Sequence, residues 1–131
     1  MEKSEKKILL VDDDNDFRRA TRKILEWDGY QVIEAANSVE GLEKAESESP
    51  DLIIIDIIME SYTEGFSMVQ KLFENEKTND IPRIILSTLG IIQDFDMISP
   101  EELNAEHILQ KTVKKEELLK TIESTFAMRQ K

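Results

Sequence analysis

Four short runs of unbroken apolar residues punctuate the chain: Ile8-Leu9-Leu10-Val11, Leu52-Ile53-Ile54-Ile55, Ile84-Ile85-Leu86 and Ile108-Leu109. Runs this short, bounded by polar or turn residues, read as strands buried on both faces. Tyr30 to Ala35 alternates weakly and predicts one more strand, second in chain order. Between the strands the period changes to that of a helix. Phe17, Ala20, Ile24 and Leu25 recur at helical spacing, with Arg18, Arg19, Arg22 and Lys23 between them. The Asp14-Asn15-Asp16 cluster supplies N-cap acceptors, with Asp14 read as the cap, and Gly29 ends the helix. Ser38 predicts the cap of a second helix through Leu42 and Ala45. After a loop at 61–65, Phe66, Val69, Leu72 and Phe73 mark a third. Residues 90–104 include Gly90 and Pro100, so a fourth helix there is expected to be short or irregular. The stretch from Lys114 to Arg129 places Leu118, Leu119, Ile122 and Phe126 on one face of a last helix.

Strand and helix thus alternate five times, which predicts an α/β fold with a parallel sheet and helices on both faces. A length of 131 residues suits one domain, taken as 1–131 with a core of about 5–127 and no output domain in this chain. Apolar residues at 40% and charged residues at 34% fit a globular chain and not a disordered one. The 17 basic and 28 acidic residues leave a formal charge of −11, which argues against direct contact with nucleic acid or an anionic membrane. Cysteine is absent, so neither a disulfide framework nor a thiolate metal site is available. Met1 to Lys7 lacks the apolar segment of a secretory signal, and no apolar run reaches membrane-spanning length. A cytoplasmic location is the expectation.

In open parallel sheets, ligands bind beyond the carboxyl ends of the strands. Asp12 and Asp13 follow the first strand, Asp56 ends the third, Ser87 the fourth and Lys111 the fifth. All five are therefore expected on one rim. Crowded carboxylates repel one another, and a hard divalent cation with a preference for oxygen, such as Mg²⁺, removes that cost. Lys111 offers a point charge to a phosphate oxygen and Ser87 a hydroxyl donor, so metal, ammonium and hydroxyl would surround a phosphoryl group. An acid directly after four buried aliphatics makes Asp56 hard to read as merely structural. His107, the only histidine, is expected at the surface and not as a phosphocarrier, and Trp27 and Met59 as core or flanking residues.

The segments KILLVDDD at 7–14, PDLIIIDIIM at 50–59, Gly65, IPRIILS at 81–87 and ILQK at 108–111 resemble, in order and spacing, the receiver domain of two-component response regulators. The resemblance implies a flavodoxin-like doubly wound sheet of strand order 2-1-3-4-5. It implies Asp56 as phosphoacceptor, with Asp13, Asp56 and the backbone carbonyl of Ile58 ligating Mg²⁺ or Mn²⁺ and Asp12 acting through a metal-bound water. Ser87 would be the switch hydroxyl, Lys111 the partner of the phosphoryl oxygens, and Ile108 the switch position. The implied partners are a histidine kinase or histidine phosphotransfer domain, meeting the first helix near Phe17, Ala20 and Ile24, and a downstream protein effector. The effector would read the face built from the fourth helix, the last strand and the last helix. The chain departs from the family pattern at Glu60 and Thr112, where proline is usual, and at Ile108, where an aromatic is usual. Thr88 stands where a small residue is common and could compete with Ser87, and the loop before Gly65 is one residue longer. A trans bond is expected between Lys111 and Thr112.

Two other functions follow from the same residues. The departures would suit a receiver-like interaction module that signals without phosphorylation. Asp12-Asp13-Asp14 after a buried strand also gives the Asp-x-Asp pair of a haloacid-dehalogenase-type phosphohydrolase. However, Asp16 stands where that family has Thr or Val, and the chain is short for its core and cap.

Overall fold

The computed structural model describes residues 2–56, 64–87 and 105–129. A short 3-10 turn (Lys3–Glu5) leads into β1 (Lys7–Val11), α1 (Asn15–Trp27), β2 (Gln31–Ala35), α2 (Ser38–Glu48) and β3 (Leu52–Asp56). Then follow α3 (Glu64–Glu74), β4 (Arg83–Ser87), β5 (His107–Gln110) and α4 (Lys115–Arg129). The five strands form one parallel sheet in the order β2-β1-β3-β4-β5, as the resemblance implies. The irregular helix expected at 90–104 lies outside the described residues, as do Ile58, Met59, Glu60 and Thr88.

The apolar runs are buried on both faces because successive side chains point to opposite sides of the sheet. Leu9, Val11, Ile53, Ile55 and Ile85 pack with Ala45 of α2 and Met68, Val69 and Leu72 of α3. Ile8, Leu10, Ile54, Ile84 and Leu86 pack with Leu25 of α1 and Leu118, Ile122 and Phe126 of α4. Gly41 lets α2 lie close to the sheet: a Cβ there would stand 3.1 Å from both Val11 methyls.

Helix ends follow local chemistry. The Asp14 side chain accepts from Phe17 N, capping α1 as expected. At its other end Gly29 takes φ 107°, which frees Tyr30 N to reach Leu25 O (3.1 Å) and Gly29 N to reach Glu26 O (3.0 Å). This paired arrangement satisfies the last carbonyls of the helix. The cap of α2 is Asn37 and not Ser38, since the Asn37 side chain accepts from Glu40 N at 2.9 Å and Ser38 is already helical. Helix α3 begins at Glu64, so Gly65 belongs to its first turn and not to the preceding loop.

Helix faces differ from the expectation at three places. The inward stripe of α1 runs Phe17–Thr21–Leu25, four residues apart, and leaves Ala20 exposed. Phe73 is half exposed because it follows Leu72 by one residue, about 100° off the buried stripe; Met68 fills the core instead. Trp27 is 93% exposed, two residues past Leu25 on the opposite side of α1, so it is not a core residue. His107 is not a surface residue either. It opens β5 half-buried, and its Nε2 is fully enclosed with no hydrogen-bond partner among the described residues.

Candidate functional site

Strand β1 ends against β2 through a bond from Asp12 N to Ala35 O (3.1 Å), which fixes where the acidic turn begins. Asp12 is buried, and its Oδ1 accepts from Asp14 N at 2.9 Å. This short side-chain-to-backbone turn is typical of aspartate ahead of a helix. Asp13, between them, is exposed. Arg18 braces the turn from α1: it donates to the Asp12 carbonyl (2.6 Å), to the Asn15 side chain (2.6 Å) and to Glu34 on β2 (2.8 Å). Asp56 and Ser87 are the last residues of β3 and β4, and both are buried. Lys111 follows β5, its N–H bonded to Ser87 O at 2.7 Å.

The sheet therefore brings Asp12, Asp13, Asp56, Ser87 and Lys111 to one rim, as the strand-end rule predicts. Oxygens from Asp12, Asp13 and Asp56 lie within 4.8 Å of one another. Lys111 Nζ bridges the two buried carboxylates, 3.0 Å from Asp12 Oδ2 and 3.1 Å from Asp56 Oδ2. It also stands 4.6 Å from the centroid of the Phe17 ring. Burial works against the charged ammonium, but the hydrogen bonds to Asp12 and Asp56 outweigh it and the Lys111 pKa is raised. Beneath α1 a cavity of about 10 Å³, bounded by Asp12, Phe17, Arg18, Thr21 and Asp56, has room for about one water.

The arrangement fits a hard divalent cation. Three carboxylates gather here, and Lys111 meets two of them. Asp12 Oδ2 is fully buried, and among the described residues it is met by the Lys111 ammonium at 3.0 Å and by no further donor. A cluster of carboxylate oxygens of this kind suits Mg²⁺ or Mn²⁺, which take oxygen ligands.

Ile108 lies half-buried on β5, on the α2–α3 side of the sheet. Thr112 is exposed and the Lys111–Thr112 peptide is trans. Two residues beside the rim, Phe17 and Arg18, were not singled out as site residues from the sequence. The available signal was their position three and four residues after the Asp14 cap, on the first turn of a helix that begins at the rim.

A doubly wound sheet with three carboxylates, a hydroxyl and an ammonium on one rim defines the receiver class of signalling domain. Residues 8–123 match the response regulator receiver domain family, and the chain belongs to it. It is a receiver domain of two-component signalling, a family of modules that are in general not enzymes. It is 35% identical over 121 residues to protein PilH of Pseudomonas aeruginosa, covering 92% of this chain and 98% of PilH. It is 36% identical to the probable transcriptional regulator ycf27 of Cyanophora paradoxa, of which it spans 49%. Six further curated relatives are likewise about twice its length. Among solved structures, a CheY-like receiver domain protein of Methanospirillum hungatei superposes with TM-score 0.83 at 28% identity, covering 95% of this chain and 96% of that one. The chemotaxis response regulator CheY4 of Vibrio cholerae gives 0.79 at 29%, covering 91% and 97%. Among the described residues no helix is long and apolar enough to cross a membrane.

Proposed function

We propose that Asp56 accepts a phosphoryl group from the phosphohistidine of a histidine kinase or histidine phosphotransfer domain in the cytoplasm. The observation that carries this reading is a buried carboxylate bridged by an ammonium and flanked by two further acids at the open rim of the sheet. An Asp56 oxygen attacks phosphorus, the P–N bond breaks as the P–O bond forms, and the imidazole leaves with the electron pair. Asp13, Asp56 and the Ile58 carbonyl would hold Mg²⁺ or Mn²⁺, and Asp12 would act through a water. When bound, such a cation would neutralise charge on the phosphoryl oxygens. Lys111 already lies against Asp56, so its ammonium meets a phosphoryl oxygen with little rearrangement. Ser87 supplies the hydroxyl that closes on the product. The chain acts as a single receiver unit with a core of about 5–127. Its α1 faces the kinase, and the face built from the 90–104 segment, β5 and the last helix faces a protein effector, with Ile108 as the switch position.

Mass spectrometry after exposure to acetyl phosphate and Mg²⁺ tests this reading. Wild type should gain one phosphoryl group and Asp56→Asn none. A gain in both would remove Asp56 from the role. A gain in neither would leave the phosphorylation-independent interaction module as the better account. Binding of beryllofluoride should be followed by amide shifts and not by intrinsic fluorescence, because the single tryptophan is solvent-exposed at the far end of α1.

A further inference from the structure

We infer that Phe17 is a positioning residue for Lys111, its ring face holding the ammonium against Asp12 and Asp56. This rests on the reading of Asp56 as phosphoacceptor.

Among the described residues the Lys111 ammonium meets Asp12, Asp56 and the Phe17 ring, whose centroid is 4.6 Å from Nζ. The two carboxylates lie deeper, at 4% and 3% exposure, whereas Phe17 is half-buried on α1. The ring is thus a wall on the α1 side. A cation that has given up part of its hydration there is compensated by the negative face of the ring, which an aliphatic side chain lacks.

The ring is itself fixed. Asp14 Oδ1 accepts from Phe17 N at 3.1 Å, and Asp14 N donates to Asp12 Oδ1 at 2.9 Å. Lys111 Nζ returns to the same Asp12 oxygen at 3.3 Å. Asp12, Asp14, Phe17 and Lys111 therefore form a closed circuit of contacts across the rim. On its inner side Phe17 packs against the cluster that holds Leu10, Ile54 and Leu86, so the ring cannot swing away from the ammonium without losing burial. A long lysine side chain has many rotamers, and a group that confines it before phosphorylation removes the entropy of confining it during the reaction.

The test compares Phe17→Leu, which keeps an apolar side chain but no π face, with Phe17→Tyr, which keeps the face. In wild type the Lys111 methylene protons beside Nζ should resonate upfield of those of other lysines, because they lie over the ring. Phe17→Tyr should retain that shift and Phe17→Leu should lose it. With acetyl phosphate and Mg²⁺, Phe17→Leu should be phosphorylated about 3- to 10-fold more slowly, and Phe17→Tyr near the wild-type rate. Amide spectra and unfolding midpoints show whether each variant is folded. Should Phe17→Leu unfold, the wild-type and Phe17→Tyr shifts still decide the contact. An unshifted Lys111 in wild type, or a Phe17→Leu variant with unchanged shift and rate, would overturn the inference. The proton shift needs no phosphorylation. If Asp56 were not the acceptor, the rates would lose their meaning and the positioning contact would still be measured.

Discussion

Lys111 carries the electrostatics of the rim at the scale of single residues. Asp12 and Asp56 are buried carboxylates, and the ammonium between them is the cation that the described structure supplies to both. Removing one partner of a buried ion pair is costly because the remaining charge is left in a poor dielectric, by about 3–5 kcal/mol when burial is complete. The Lys111 side chain is 18% exposed and Asp13 opens the site to solvent, so Lys111→Met should cost less, about 2–3 kcal/mol. If the rim binds Mg²⁺, the cation should offset much of this loss. At 100-fold its dissociation constant a ligand of the folded state contributes about 2.7 kcal/mol. Urea unfolding of wild type and Lys111→Met, each with and without Mg²⁺, measures both quantities. The variant should gain more from Mg²⁺ than wild type does, because no ammonium competes for Asp12 and Asp56. Equal gains would remove Lys111 as a competitor of the metal. The gathering of the three aspartates was legible in the sequence because strand ends alone place them. The bridge from Lys111 to two carboxylates was not, since the lysine had been matched to a phosphoryl oxygen.

At the scale of elements, Glu34 on β2 ties the sheet to α1. It accepts from Arg18 at 2.8 Å and from Arg22 at 2.6 Å, and Arg18 in turn braces the Asp12 carbonyl. Burial pushes the Glu34 carboxyl up, but the hydrogen bonds from Arg22 and Arg18 prevail and its pKa is lowered from 4.5. A depressed carboxyl stabilises the fold at pH values above its unfolded pKa, and this contribution is lost as pH falls through the folded value. The stability difference between wild type and Glu34→Gln should therefore be flat from near neutral down to about pH 5, at about 1–2 kcal/mol, and shrink in more acid solution. A difference that persisted unchanged at low pH would mean that the carboxylate charge is not what Arg18 and Arg22 hold. The strands and the ends of α1 were readable because apolar runs and capping residues act locally. The helix faces were less so. Ala20 is apolar yet exposed while Thr21 is buried, because the stripe that meets the sheet is set by Phe17 and Leu25 four residues to either side. Apolar identity alone does not reveal that Phe73 and Trp27 are exposed, for the same geometric reason.

For the whole molecule, the alternation of strands and helices predicts a layered parallel sheet but does not order the strands. Periodicity reports which residues are buried and not which strand lies beside which, and the order came through the family resemblance. The order has an energetic consequence. β1 and β3 are inner strands, and all five residues of β3 are buried. β5 is an edge strand of four residues, three half-buried and one exposed, and its enclosed His107 Nε2 has no hydrogen-bond partner among the described residues. Amide exchange should follow this gradient, since inner strands open only with global unfolding while an edge with little buried apolar surface opens locally. Ile53 to Ile55 and Leu9 to Val11 should be the slowest amides. The bonded amides of β5 should exchange at least about tenfold faster, a gap of roughly 1.4 kcal/mol. If β5 exchanged as slowly as β3, it would belong to the same cooperative unit, and local opening of β5 would not be the route by which a change at Asp56 reaches the edge. Fast exchange in β5 beside a slow β3 would instead leave the proposed effector face free to open locally while the proposed phosphoacceptor stays fixed.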